Sequence, residues 1–177
     1  MSATDTPLFS WLRRWRGEPL RGKLEAIYIA PEAGRDMQAL EAVSALPGQG
    51  LEGDRYAQGR GHWRLTDACQ VTLVTAEDLA RAERKGGIPF GNGEHRRNLV
   101  VSGIPLEAFR NRRVRIGEVW FQFHRPRPPC GYLERLYRPG AIKALGRGAG
   151  IGLRVVSGGT LRVGDPVEVL QDPGDGA

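Results

Sequence analysis

Short alternations of apolar and polar residues, broken every few positions by glycine or proline, run along most of the chain and predict strands more than helices. Residues 23–31 read as a first strand, with Leu24, Ile27 and Ile29 apolar. Residues 70–74 and 98–102 follow the same pattern. Residues 114–116 and 119–123 flank Gly117-Glu118, a tight hairpin signal. Residues 152–156, 160–163 and 166–170 are further strands, with turns at Gly158-Gly159 and Gly164-Asp165. Helical periodicity is scarce. Thr75 with Asp78 three residues on is an N-cap pattern, and the helix it predicts over 76–85 stops at Gly86-Gly87. A short helix is expected over 130–137, with Leu133, Leu136 and Tyr137 facing inward. Residues 37–46 are rich in alanine and glutamate, which favour a helix, yet Pro47-Gly48-Gln49-Gly50 follows at once. No internal repeat is visible. Many short strands and few helices predict a mainly β fold, a closed or nearly closed β-barrel without exposed edges.

Composition supports this reading. The chain has 177 residues, enough for one domain with a real core, and 25 glycines and 12 prolines suit many turns. Three segments are expected: a basic, aromatic N-terminal extension over 1–22, a β-barrel domain over 23–170 and a tail over 171–177. In the extension Leu8, Phe9, Trp11, Leu12 and Trp15 cluster on one side of a potential helix, which either folds back on the domain or meets a membrane surface or partner. Net charge is +6 and almost all of the excess is arginine, since lysine occurs only at Lys23, Lys85 and Lys143. That bias reflects either codon usage or an anionic ligand gripped by planar guanidinium forks; nucleic acid is the weaker choice. Two cysteines are too few for a disulfide framework and fit a reducing, cytoplasmic setting. No apolar run is long enough for a membrane span, and the N-terminus lacks the apolar stretch of a secretory signal.

The chemistry concentrates in a few runs. Cys130 lies in Arg125-Pro126-Arg127-Pro128-Pro129-Cys130-Gly131-Tyr132-Leu133, with rigid prolines behind it, a helix ahead and arginines beside it, all of which favour a reactive thiolate. Gly50-Leu51-Glu52-Gly53-Asp54-Arg55-Tyr56 allows unusual backbone angles, and Asp54 either aims the Arg55 fork at a pocket or forms a solvated ion pair with it. Arg96-Arg97-Asn98 opens a strand and suits an oxyanion or phosphate, or is an ordinary basic strand end. The run 146–152 is glycine-rich but is no dinucleotide fingerprint, because no strand leads into it and no clear helix follows. His62, His95 and His124 lack metal-ligand spacing, no G-x-S-x-G elbow is present, and Cys69 reads as a buried inert thiol.

Four of these runs, in order, resemble the MOSC domain, the module named after the C-terminal part of molybdenum cofactor sulfurases. They are Gly50 to Tyr56, then Arg97-Asn98-Leu99-Val100-Val101-Ser102-Gly103-Ile104, then Pro129-Cys130 with Leu133, then Gly158-Gly159 with Val163-Gly164-Asp165-Pro166-Val167. The resemblance covers roughly residues 23 to 170. It implies a β-barrel with a few helices, strand rather than helix over 37–46, and a pocket for the molybdenum cofactor (molybdopterin). It implies that Cys130 carries sulfur or ligates molybdenum, that Arg55, Arg96 and Arg97 neutralise the pterin phosphate, that Gly53 and Asp54 set Arg55, and that Asn98 reads a polar edge of the pterin. Relatives often carry Arg-x-Pro-Cys before the cysteine, and the extra prolines here alter its approach. The pyridoxal-phosphate desulfurase domain of larger relatives has no counterpart, so sulfur or electrons would come from a donor protein. Three readings stand open: a cofactor-binding protein acting through Cys130, a molybdenum-dependent reductase of N-hydroxylated compounds with a partner electron donor, and a non-catalytic basic binding module.

Overall fold

The computed structural model of the protein describes residues 18–61 and 69–170. Most of the expected extension, His62 and the tail over 171–177 lie outside the described residues. β-branched and aromatic residues in alternating runs give the strands β1 (Leu20–Ile29), β2 (Gln38–Leu40), β3 (Ala42–Leu46), β4 (Gly50–Leu51), β5 (Val71–Thr75), β6 (Leu99–Ser102), β7 (Arg113–Ile116), β8 (Val119–Pro126), β9 (Ile151–Ser157), β10 (Gly159–Arg162) and β11 (Pro166–Val169). Seven of them pair in the order β11-β7-β8-β9-β5-β6-β1, and β1 returns to β11, so the sheet closes into a barrel. β2 extends from β1, and β10, β3 and β4 form a second, three-stranded sheet. β5 and β6 pair in parallel. Parallel neighbours need a crossover, and α1 (Ala76–Gly86) lies in that connection. Two shorter helices, α2 (Gly131–Leu136) and α3 (Ala141–Leu145), complete a helical layer. No helix among the described residues is long and apolar enough to cross a membrane.

The inward faces of the barrel strands fill its centre: Leu24, Leu73, Leu99, Val114, Phe121 and Leu153 are fully buried. Val74 and Val100, on the opposite face of β5 and β6, pack with Leu79, Phe90, Leu133 and Leu145 beneath the helices. β5 is therefore buried on both faces, which explains its unbroken apolar run.

Most local signals in the sequence are realised. Thr75 caps α1, its Oγ accepting from the Asp78 N–H at 3.1 Å, and Gly87 ends it in a left-handed turn (φ 61°) with its N–H on the Glu83 carbonyl at 2.8 Å. Two expectations change, and a third, open between helix propensity and the strand that the resemblance implies, is decided. The first strand starts at Leu20 rather than 23, because Leu20 to Lys23 pair with β11; Gly22 passes so close to β6 that a Cβ there would lie 2.2 Å from the Ser102 carbonyl oxygen. Residues 37–46 form β2 and β3, the strand that the resemblance implies, since pairing with β1 and β10 outweighs their helix propensity. Leu136 is 37% exposed, not inward, because α2 is a single turn and a half whose buried contact is Leu133.

Candidate functional site

The loop after β4 and the start of β6 meet in a buried polar brace. Gly53 takes a left-handed conformation (φ 79°) and delivers Asp54 into the interior, where it is 0% exposed. Asp54 Oδ1 accepts from the Ala30 N–H (3.0 Å), Arg55 Nη1 (3.1 Å) and Asn98 Nδ2 (3.1 Å), and Oδ2 accepts from the Tyr56 N–H (3.1 Å). A carboxylate out of water needs this density of donors. Arg55, 4% exposed, donates also to Met37 Sδ at 3.5 Å, and its guanidinium lies 4.7 Å over the Tyr56 ring. The solvated ion-pair alternative is thus replaced by a buried one. Asn98 is equally committed. Its Oδ1 accepts from the Thr72 N–H and hydroxyl (3.0 and 2.9 Å), and its Nδ2 donates to the Tyr28 carbonyl (3.1 Å) as well as to Asp54. It ties β6 to β5 and β1.

Two further arginines stand beside this brace. Arg96 adopts a left-handed backbone (φ 62°) and donates through Nη1 to the Arg35 carbonyl. Its Nη2 is buried with no hydrogen-bond partner among the described residues. Burial, then the Arg55 charge, holds its pKa below the usual value. Arg97 points the other way, donating from Nε to the Ala149 carbonyl (2.6 Å) and from Nη2 to the Arg127 carbonyl (2.9 Å). Burial chiefly, with Arg127 and Arg55 adding repulsion, pushes it down to about 10. His95 is 1% exposed; its Nδ1 accepts from the Arg97 N–H at 3.0 Å, so the proton sits on Nε2, and that donor too lacks a partner. Burial first, then Arg97 and Arg96, pushes its pKa down to about 3, so it is neutral.

Cys130 precedes α2 and is half-buried; its carbonyl accepts the Leu133 N–H at 2.9 Å. Both ends of its segment touch the arginine cluster. Arg127, buried, holds Arg97 through its carbonyl and docks its own N–H on the Gly150 carbonyl at 2.8 Å. Tyr132 lies near Arg96 and places its hydroxyl against Gly34. The segment 31–37 meets Arg96 through the Arg35 carbonyl, Arg55 through Met37 Sδ and Tyr132 at Gly34. Beside it opens a groove of about 290 Å³ bordered by Asp36, Met37, Glu94, Arg96 and Leu136. A shallower hollow of about 460 Å³ is bordered by Glu32, Arg35 and Asp36 of the same segment.

The residues singled out from sequence thus come together: Gly53, Asp54, Arg55, Arg96, Arg97 and Asn98 form one cluster, with the Cys130 segment attached. Asn98 spends its side chain on the brace. The glycine-rich run contributes carbonyls to Arg97 and Arg127, and Gly150 is needed there, since a Cβ would lie 2.5 Å from the Leu73 carbonyl oxygen. Cys69 is buried with its Sγ 3.8 Å from the Val71 carbonyl oxygen. No group of three His, Cys, Asp or Glu side chains able to hold a metal exists among the described residues. His95 and Arg127 were missed. The first adjoins Arg96 and the second sits in the cysteine run, but their roles arise only from tertiary contacts.

The family model of the MOSC domain matches residues 60–168. The crystal structure of the YuaD protein from Bacillus subtilis superposes with a TM-score of 0.75 at 19% identity, covering 88% of this chain and 98% of that one. YiiM from Geobacillus stearothermophilus gives 0.65 at 20%, covering 88% and 78%, and YiiM from Escherichia coli gives 0.62 at 18%, covering 87% and 71%. At such identities the likeness establishes the barrel fold. No curated protein matches the sequence at a significant level.

Proposed function

Because the chain belongs to the MOSC domain family, we propose that it binds the molybdenum cofactor and that the Cys130 thiol carries sulfur or ligates the molybdenum. One observation carries this reading. Arg55 spends its charge on the buried Asp54 carboxylate, Arg96 and Arg97 lie close enough to Arg55 to be repelled by it, and two buried donors, Arg96 Nη2 and His95 Nε2, have no partner among the described residues. An anion with several acceptor oxygens, such as a pterin phosphate, fits that imbalance. Arg55, Arg96 and Arg97 would hold it, with Arg55 oriented by Asp54 and the turn at Gly53. Asn98 acts by fixing the brace. A metal carrying dithiolene ligands would accept a further soft donor from the chain, and the half-buried Cys130 thiol would supply it.

When bound, the cofactor supplies a sulfur-ligated molybdenum centre for oxygen- or sulfur-transfer chemistry. The chain's part is to hold the phosphate, to exclude water beneath the segment 31–37 and to present Cys130. As a sulfur carrier, the Cys130 thiolate attacks the outer sulfur of a donor persulfide; the donor's S–S bond breaks, a new one forms on Cys130, and the donor leaves as its thiolate.

The test is molybdenum and pterin analysis of protein made in a cofactor-producing host. The parent chain is expected to carry both, Arg96→Ala and Arg97→Ala to lose both, and Cys130→Ser to lose molybdenum or persulfide while staying folded. Full molybdenum occupancy and no persulfide difference in Cys130→Ser overturn the thiol's role. A parent chain without pterin overturns the cofactor reading.

A further inference from the structure

The solvent side of the helical layer carries a concentration of positive charge that the cofactor does not use. Arg84 and Lys85 end α1, Arg135 lies on α2, Arg138 follows it, Lys143 lies on α3 and Arg147 follows that; all six are exposed. The helices bearing them are packed together: a Cβ on Gly86 would meet the Ala144 side chain at 2.6 Å, and Glu134 of α2 accepts from the Gly140 and Ile142 N–H groups of α3 at 3.0 and 3.1 Å.

The acidic residues of this layer do not neutralise it, because they are engaged elsewhere. Glu134 caps α3 as described. Glu83 accepts from the Phe90 N–H at 2.6 Å, and Glu77 from the Gly103 N–H at 2.8 Å. Asp78 is the exception, and it pairs with Arg81 at 2.5 Å. None of the six cations makes an ion pair with a described residue. α2, which carries part of this charge, begins at the half-buried Cys130 and exposes Leu136.

We propose that this face is a docking surface for an acidic protein that must reach Cys130. The proposal rests on the reading of Cys130 as the working thiol. A basic face with one exposed leucine at its edge, where Leu136 meets the groove bordered by Asp36 and Glu94, is the make-up of a transient, electrostatically steered protein interface. Single-stranded nucleic acid is the poorer occupant, since it needs open aromatic faces for stacking. Here the Tyr132 ring lies beneath Arg135 (5.7 Å) and the Tyr137 ring beneath Arg138 (5.9 Å), and the Tyr137 hydroxyl is bound to the Pro89 carbonyl.

The experiment measures how fast Cys130 reacts with charged probes. Three carriers of a 2-pyridyl disulfide are compared on the full chain: a hexaglutamyl-cysteine peptide, a hexaglycyl-cysteine peptide and a thiol-tagged oligonucleotide of six phosphates. In each, the Cys130 thiolate attacks the carrier's sulfur, a mixed disulfide forms and pyridine-2-thione leaves and is read by absorbance; Cys130→Ser provides the blank for Cys69. At low ionic strength the acidic peptide is expected to react about 10- to 100-fold faster than the glycyl peptide. The advantage should vanish near 1 M salt, where screening is nearly complete at the few ångströms separating side chains across an interface. Arg135→Glu/Lys143→Glu/Arg147→Glu should remove most of it, whereas Arg162→Glu, on β10 outside the layer, should not. If the triple variant loses its circular-dichroism signature, Lys143→Gln and Arg147→Gln each serve, with an expected loss of about two- to threefold. Equal rates for both peptides overturn the docking surface and leave the thiol reading intact. An oligonucleotide faster than the acidic peptide overturns it in favour of nucleic acid. A Cys130 inert to all three probes overturns it together with the working-thiol reading.

Discussion

Asn98→Ala separates a bracing role from a ligand-reading role at the centre of the site. The wild-type side chain makes four buried hydrogen bonds, at 2.9 to 3.1 Å, to Thr72, Tyr28 and Asp54. Alanine removes all four and leaves Thr72, the Tyr28 carbonyl and one contact of the Asp54 carboxylate to find new partners out of water. A net hydrogen bond contributes about 1 kcal/mol, and an orphaned buried group costs about 1–3 kcal/mol. Some bonds have alternatives, since Thr72 also keeps backbone contacts and Asp54 keeps Arg55 and two amides. A loss of about 3–4 kcal/mol is expected, which for a chain of this size lowers the melting temperature by about 10 °C. Urea unfolding followed by circular dichroism gives the free energy, and molybdenum per folded chain gives the site. The reasoning is refuted if Asn98→Ala unfolds within about 1 kcal/mol of wild type yet loses its cofactor, for then the amide reads the ligand and does not hold the barrel.

Three other expectations follow from the same geometry. Gly150→Ala puts a methyl group 2.5 Å from the Leu73 carbonyl oxygen at φ 119°, where an L side chain is strained; it should cost about 2–4 kcal/mol in urea unfolding and also lower cofactor content, because Arg97 docks there. Thr75→Ala removes the N-cap of α1 and should cost about 1 kcal/mol with cofactor content unchanged. His95 is held neutral with its pKa pushed down to about 3, whereas in the unfolded chain it takes a proton below about 6.5. The unfolded state therefore binds more protons between pH 6.5 and 3, and stability must fall as pH drops through that window, by up to about 1.4 kcal/mol per pH unit from this group. His95→Asn, which cannot titrate, should flatten the urea-midpoint profile below pH 6; an unchanged slope would assign it to the carboxylates.

The barrel was legible in sequence because its signals are local. Alternation over a few residues marks β7 and β8, Gly117 marks their turn, and Thr75 with Asp78 marks α1. What escaped depended on partners distant along the chain. The start of β1 is set by Val169 and Ser102, across the barrel. The strands β2 and β3 carry helix-favouring alanines; periodicity alone missed them, the resemblance implied them, and pairing with β1 and β10 decides them. α3 is five residues between Gly140 and Gly146, too short for any periodicity to register.

The site shows the same division more sharply. Residue types were readable: a proline-flanked cysteine, a Gly-x-x-Gly-Asp-Arg run and a double arginine. Their function depends on separations of 44 residues between Asp54 and Asn98, 30 between Arg97 and Arg127, and 52 between Arg97 and Ala149. Those distances explain why the resemblance implied a ligand-reading Asn98 and why the glycine run was given no role. The energetics explain why the arrangement exists. Buried guanidiniums that repel one another, with Arg97 driven down to about 10, raise the energy of the free site. Carbonyls of the glycine run and of Arg127 offset part of that for Arg97, and Asp54 does so for Arg55. No described residue offers a comparable partner to Arg96 Nη2 or His95 Nε2. Natural folds tolerate such orphans where binding recovers the cost, and this supports the proposal that an anion is held beside Arg96, where it would gain more than from the same charges in water.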